Sequence, residues 1–217
     1  RSLNISMEYP SLDTAKAGAI RFNTDSSQLE IYDGNQWTGI LATSGDLQTG
    51  STRGLYAGGQ NNSDRIDFVN IDSTGDAVNF GDLISNREGV VGSGDRTRGV
   101  FFAGDGSPEN VDIQHVTFAT TGDATDFGNN TGGTHSQGAG FQNSTRSGVA
   151  GGSGNTQQID FITTQSSGVS NDFGDMTDGR GGNTGASSKT RGLFFGGYKN
   201  PAITSNANID YVITSTT

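Results

Sequence analysis

The apolar positions of this chain come in short runs, and the runs recur. GLYAGG stands at Thr52-Arg53, GVFFAG at Thr97-Arg98, SGVAGG at Thr145-Arg146 and GLFFGG at Thr190-Arg191, each directly after the pair. A second run then carries an acid, in Ile66-Asp67, Val111-Asp112, Ile159-Asp160 and Ile209-Asp210. A third mark, Phe-Gly, closes three of the units at Phe80-Gly81, Phe127-Gly128 and Phe173-Gly174. The Thr-Arg pairs lie 45, 48 and 45 residues apart, and the Phe-Gly pairs 47 and 46. Independent marks that keep one period identify structural repeats. Runs such as RIDFVNI and NIDYVIT mix β-branched and aromatic residues and end in Ser, Thr and Gly turns, which is how strands read. No segment sustains a helical period.

Four strands of about six residues, joined by four turns of about five, need about 44 residues. Each repeat therefore reads as four short strands; in the second they are GVVGSGD, RGVFFAG, VDIQHVTF and ATDFG. The expected fold class is all-β: a four-repeat β-propeller-like domain over 42–217, with about 45–48 residues per repeat, preceded by a β-hairpin module in 1–41. The last repeat stops after its third strand. Gln36-Trp37-Thr38-Gly39-Ile40 is expected to supply the fourth, since closing a ring with both ends of the chain removes free sheet edges. The alternative is an open or intersubunit β assembly in which neighbouring chains supply the missing strands.

Composition narrows the function. Of 217 residues 35 are Gly, without the G-X-Y period of collagen. There is no Cys, which removes disulfides, thiolate zinc sites and a Cys nucleophile. The formal charge is −10 with no basic tract, so no nucleic-acid partner is expected. No apolar stretch approaches the roughly 18 residues of a membrane span, and no membrane insertion is expected. The chain begins Arg-Ser-Leu-Asn, without Met or an export-signal pattern, and reads as a processed chain or a piece of a longer polypeptide.

Candidate chemistry is sparse. Gly182–Thr190 imitates a phosphate loop, but Ser188 stands where that loop needs Gly. His115 and His135 have no ligand spacing, and the acidic turn from Asp72 to Asp76 lacks the calcium-loop pattern. No catalytic residue, metal or cofactor is expected, and the chain reads as no enzyme. Arg53, Arg98, Arg146 and Arg191 recur with Asp67, Asp112, Asp160 and Asp210; each Arg is expected to pair with the Asp of its own repeat. Ten residues before three of the Thr-Arg pairs stand Arg87, His135 and Arg180, with Ala42 in the first repeat. These three are the candidate binding residues, a partial basic ring able to hold a carboxylate, sulfate or phosphate. Tyr198, just past Gly197, is the fourth candidate, as an exposed aromatic. Tyr56, Phe101, Phe102, Phe194 and Phe195 lie in the most apolar runs and are expected in the core.

The run of apolar-Gly-Gly, strand, turn and Arg-Gly resembles kelch repeats over about 42–217, with Gly58-Gly59, Gly151-Gly152 and Gly196-Gly197 intact and Gly104-Asp105 in the second repeat. The Trp expected late in a kelch blade is absent. The segment GAIRFNTDSSQLEIYDGNQW, Gly18 to Trp37, resembles a hairpin motif of bacteriophage tail-fibre and other virion appendage proteins, G-x-I-R-[FY]-N…L-E-x-[FY]-x-G…W. Gly18, Ile20, Arg21, Phe22, Asn23, Leu29, Glu30, Tyr32, Gly34 and Trp37 carry it. The resemblance implies a virion structural protein on a tail fibre, baseplate or head appendage. Its implied partners are other virion proteins and a host-surface glycan or protein, and it implies a homo-oligomer, with a trimer favoured. The rival reading is a bacterial surface or secreted glycan-binding β-propeller.

Overall fold

A computed structural model describes residues 15–25, 28–40, 52–61, 63–105, 111–201 and 203–214. The described residues are all-β, in antiparallel sheets of which none is closed, and they contain no helix. The chain divides into two compact units, Arg1–Leu47 and Gln48–Thr217; the expected boundary at 41/42 lies outside the described residues.

The first unit is a three-stranded meander of β1 (Ile20–Asn23), β2 (Gln28–Tyr32) and β3 (Trp37–Gly39). Asp33 makes its second turn by accepting the amides of Asn35 and Gln36, both at 2.7 Å. Trp37 to Gly39 pair with β2 through Tyr32, Ile31 and Glu30. The expectation that this segment belongs to the last repeat is therefore corrected: it is a strand of the N-terminal meander and of the first compact unit.

The second unit is a series of sheets. The first holds β4 (Arg53–Ala57), β5 (Ser63–Asn70) and β6 (Val78–Arg87), and the second β7 (Val91–Gly94), β8 (Arg98–Phe102), β9 (Asp112–Thr117) and β10 (Thr125–Asn129). The third holds β11 (Ala139–Gln142), β12 (Arg146–Ala150), β13 (Gln158–Thr163) and β14 (Asn171–Asp175). The fourth has β15 (Thr184–Ser187), β16 (Arg191–Phe195) and β19 (Ile209–Ile213), with a small hairpin, β17 (Tyr198–Lys199) and β18 (Thr204–Ser205), inserted before β19. The four strands expected for the second repeat are β7 to β10.

The repeated marks have local causes. Before Thr-Arg stands a short polar side chain that folds the turn between the first and second strands of a sheet. Asp95 accepts the amides of Thr97 and Arg98 at 2.7 and 2.9 Å, Asn143 those of Thr145 and Arg146 at 2.9 and 2.8 Å, and Ser188 those of Thr190 and Arg191 at 3.3 and 3.1 Å. Phe-Gly marks a bulge. Strand pairing skips from Asn79 to Gly81, from Asp126 to Gly128 and from Asp172 to Gly174, so the Phe is the extra residue each time. Its ring meets the third strand edge-on: Phe80 on Phe68, Phe127 on His115 and Phe173 on Phe161, with centroids 5.9, 5.7 and 5.5 Å apart. Gly128 needs φ +144°, and a Cβ there would collide with the Gly168 carbonyl of the next sheet.

The cores lie between consecutive sheets. Leu55, Ile66, Phe68, Phe80 and Leu83 of the first sheet pack on Phe101 and Val116 of the second. Val100, Phe102, Ile113 and Phe127 of the second pack on Val149 and Ile162 of the third. Ala150, Ile159, Phe161 and Phe173 of the third pack on Phe194 and Val212 of the fourth. Of the aromatics expected in the core, Phe101, Phe102 and Phe194 are buried and Phe195 half-buried, but Tyr56 is 65% exposed. Tyr56 is corrected because it lies on the face of the first sheet opposite Leu55 and Ala57, away from the core shared with the second sheet.

Two repeat alignments shift. Ile113 faces Phe102 as Ile159 faces Ala150 and Ile209 faces Phe195. Gln114, not Asp112, therefore stands where Asp160 and Asp210 stand, and Asp112 stands where Gln158 does. The glycine corner of the second repeat is Ala103-Gly104, at φ +43° and +116°, in place of Gly104-Asp105.

Candidate functional site

The recurring Arg of Thr-Arg does not pair with the Asp of its repeat, and that expectation is corrected. Arg53 donates to the Phe118 carbonyl at 2.6 Å, Arg98 to the Thr164 carbonyl at 3.2 Å and Arg146 to the Thr214 carbonyl at 3.1 Å. Each reaches one sheet forward along the series. The guanidinium lies over Phe68 at 4.7 Å for Arg53 and over Phe161 at 4.7 Å for Arg146. Arg98 has His115 in the matching place; burial first and the Arg98 charge second hold the His115 imidazole below its ordinary pKa.

The Asp side chains are instead met by the candidate binding residues. Arg87 Nη2 lies 2.5 Å from Asp112, His135 Nε2 3.1 Å from Asp160 and Arg180 Nη1 2.9 Å from Asp210. Arg87, His135 and Arg180 are all buried, His135 and Arg180 completely. Each also bonds a carbonyl in or just after the second strand of the later sheet: Ala103 for Arg87 at 3.4 Å, Gly151 for His135 at 2.7 Å and Phe194 for Arg180 at 3.2 Å. The end of β6 and the segments before β11 and β15 are thus stapled to the second and third strands of the later sheet. None of the three side chains stands open on a surface as the expected basic ring would have them: each is buried and meets an Asp inside the fold. Ala42, the matching position of the first repeat, lies outside the described residues. There Asp67 pairs with Arg65 of its own strand at 2.7 Å, near the surface.

The carboxyl of Asp160 is held below its ordinary pKa. Burial alone pushes it up, but hydrogen bonds from His135, Gly132 and Gln158 and the charge of His135 outweigh that push. The displaced acid of the second repeat keeps an equivalent network: Gln114 donates to Asp112 at 3.1 Å, as Gln158 donates to Asp160 at 3.0 Å.

Tyr198 is half-buried rather than free. Its hydroxyl donates to Gln137 Oε1 at 2.6 Å, and its backbone pairs with Gly181. It opens the hairpin inserted in the last repeat. Lys199 of the same hairpin pairs with Asp178, which also accepts from Asn206 at 3.0 Å. The Lys199 hydrogen bond is the main reason that the Asp178 carboxyl lies below its ordinary pKa. Asn155 and Asn200 exchange hydrogen bonds at 2.9 and 2.8 Å. At the hairpin tip Ile203 is 72% exposed at φ +46°, a conformation unfavourable for a β-branched residue. This polar cluster was not anticipated as a group. The signal for it lay in the spacing: twelve residues separate Gly197 from Ile209, against seven from Gly59 to Ile66 and seven from Gly152 to Ile159.

A dent of about 130 Å³ lies beside the second sheet, lined by His115, Thr117, Thr120, Thr121, Asp123 and Thr125 among others. It is too small for an ordinary organic ligand, which needs about 300 Å³ or more. Among the described residues no group of three His, Asp or Glu is placed to hold a metal ion, and no helix is long and apolar enough to cross a membrane.

In the first unit the motif residues form one cluster. Arg21 Nε lies 2.7 Å from Glu30 and its guanidinium 4.3 Å from the Trp37 ring; Asn23 donates to Glu30 at 2.9 Å; Tyr32 lies 5.4 Å from Trp37. The Asn23 and then the Arg21 hydrogen bond hold the Glu30 carboxyl below its ordinary pKa. The opposite face exposes Ile20, Phe22 and Leu29. No protein-family model and no curated protein matches the chain.

Proposed function

We propose that the chain is a non-enzymatic structural component of a bacteriophage virion, on a tail fibre or other appendage, with propeller-like repeats that carry contact surfaces for a host-surface glycan or protein. The observation that supports this most is the N-terminal meander. The motif that resembles one of virion appendage proteins is a single interlocked set in Arg21, Asn23, Glu30, Tyr32 and Trp37. It uses its polar residues internally and leaves an apolar face of Ile20, Phe22 and Leu29 for a neighbour. A propeller-like arrangement is supported by the regular stacking of sheets with cores between them, and by close approach of successive first strands at Gly92, Gly140 and Gly185. Buried ion pairs in place of an open acid–base constellation favour a scaffold over a catalyst. The exposed hairpin tip at Ile203 is the contact surface such a scaffold would present, since loops vary without disturbing the core. Many copies on one particle would multiply weak contacts.

The test is mass spectrometry of particles purified from the producing host. Peptides of this chain at structural-protein abundance support the reading. Their absence from particles, with the chain recovered from the cell surface or medium, replaces it with a glycan-binding propeller.

A further inference from the structure

The same sheet-to-sheet junction occurs three times, and each half of a fourth is present but unmatched. The forward half is an Arg, an aromatic under it and an Ile, as in Arg146, Phe161 and Ile159; the backward half is a large apolar side chain, a β-branched residue and a carbonyl, as in Phe194, Val212 and Thr214. Phe101, Val116 and the Phe118 carbonyl form the backward half in the second sheet, and Val149, Ile162 and the Thr164 carbonyl in the third.

In the fourth sheet the forward half is Arg191, Tyr211 and Ile209. Tyr211 is 60% and Ile209 68% exposed, whereas Ile66, Ile113 and Ile159 in the same place are buried. Arg191 stacks over Tyr211 at 5.2 Å, as its counterparts do on their rings, but its guanidinium has no hydrogen-bond acceptor among the described residues. In the first sheet the backward half is Tyr56, Val69 and the carbonyl of Ile71. Ile71 is equivalent to Phe118, Thr164 and Thr214, because the amide of each bonds the carbonyl of the Thr before the recurring Arg. No core among the described residues joins the first and fourth sheets.

We propose that a second copy of this chain supplies the missing partner: the outer face of the fourth sheet docks on the outer face of the first sheet of the next copy, and Arg191 donates to the Ile71 carbonyl of that copy. The occupant is argued from continuity, since the two faces are the two halves of an interface the chain already forms three times. The contact is heterologous, so it closes into a ring where the rotation allows and otherwise runs on as a fibre. This goes beyond the virion reading and does not depend on it.

The experiment is light scattering of the 217-residue chain over a dilution series, with two variants, Tyr56→Asp and Ile209→Asp. Both positions are solvent-exposed, and circular dichroism checks that each variant folds. The wild type is expected to exceed the single-chain mass of 22.5 kDa as concentration rises. Each variant alone, with one face blocked, stays at the mass of one chain. Mixed together they form a two-chain species and nothing larger, because one intact junction remains. Arg191→Ala is expected to weaken association roughly tenfold, the loss of one charged hydrogen bond. A wild type that stays monomeric at the highest attainable concentration overturns the proposal in favour of self-closure or an uncovered end. A mixture of the two variants that fails to associate overturns it as well, because complementary faces leave one intact junction in that mixture; a single variant that still associates on its own points to an interface of like faces and overturns it too.

Discussion

Replacing Arg180 by Met tests whether the buried cations hold the sheets together. Met keeps much of the apolar stem and removes the charge. The side chain of Arg180 is wholly buried and that of Asp210 is 11% exposed. The substitution deletes the ion pair at 2.9 Å and the hydrogen bonds to the carbonyls of Phe194 at 3.2 Å and Asp178 at 3.1 Å. Asp210 keeps the Thr177 hydroxyl at 2.6 Å, so its carboxylate is left partly solvated. Removing one partner of a buried pair costs about 3–5 kcal/mol. With that residual bond and exposure, a loss of about 3 kcal/mol is expected, at the lower end of the range. Arg65→Ala is the control. Its pair with Asp67 is exposed, with 56% of the Arg65 side chain open to solvent, and should cost about 0.5 kcal/mol or less. Adding Asp210→Asn to Arg180→Met should recover about 1 kcal/mol or more, because the unpaired charge is gone. Urea unfolding of the four proteins, with slopes compared for two-state behaviour, measures all three quantities. If Arg180→Met costs no more than Arg65→Ala, the staple argument is wrong, and Arg180 is free to be judged again as a binding residue.

Three further outcomes follow from the same geometry. Because the folded pKa of Asp160 lies below its ordinary value, its contribution is complete above the unfolded carboxylate pKa of about 4 and is lost as pH falls through the folded value; urea midpoints should fall from pH 6 to pH 3 by less in Asp160→Asn than in the wild type. Gly128→Ala should cost about 2 kcal/mol or more, from a left-handed φ and a Cβ driven into the Gly168 carbonyl, whereas alanine at exposed Val78 should change the thermal midpoint little. Glu30→Ala should strip Arg21 and Asn23 of their shared acceptor, and faster amide exchange in Arg21–Asn23 and Leu29–Ile31, with unchanged exchange in the repeats, is the expected signature.

The strands were legible because their marks are local. The Thr-Arg pair that opens a strand, a β-branched third strand and a Phe-Gly bulge are each set by backbone geometry within a few residues, so one period in the sequence is one sheet in the structure. Pairing between marks was not legible. Arg146 and Asp160 recur together, yet the Arg reaches forward to Thr214 and the Asp is taken by His135. Nothing in a single sequence distinguishes a guanidinium turned out to water from one turned into the protein, and Arg87 and Arg180 are turned inward. The last repeat misled for another reason. Trp37 has the spacing to end a strand that closes a ring, but Tyr32 and Arg21 hold it in a local hairpin, which forms at far smaller entropic cost than a closure across the whole chain.

The exchange of acid and amide between the second and third repeats bears on how such arrays change over time. Positions two apart on a strand share a face, so Asp112 with Gln114 and Gln158 with Asp160 present the same two groups to the same neighbourhood in opposite order. A lineage passing between the two orders by single substitutions must cross a form with two amides or one with two acids. The two-amide form abandons a buried cation such as Arg87, whereas the two-acid form keeps a counter-ion beside it and relieves its crowding by holding a proton. Divergence through the double acid is therefore the easier passage, and ancestors of these repeats reconstructed from their descendants should carry acid at both positions more often than amide at both.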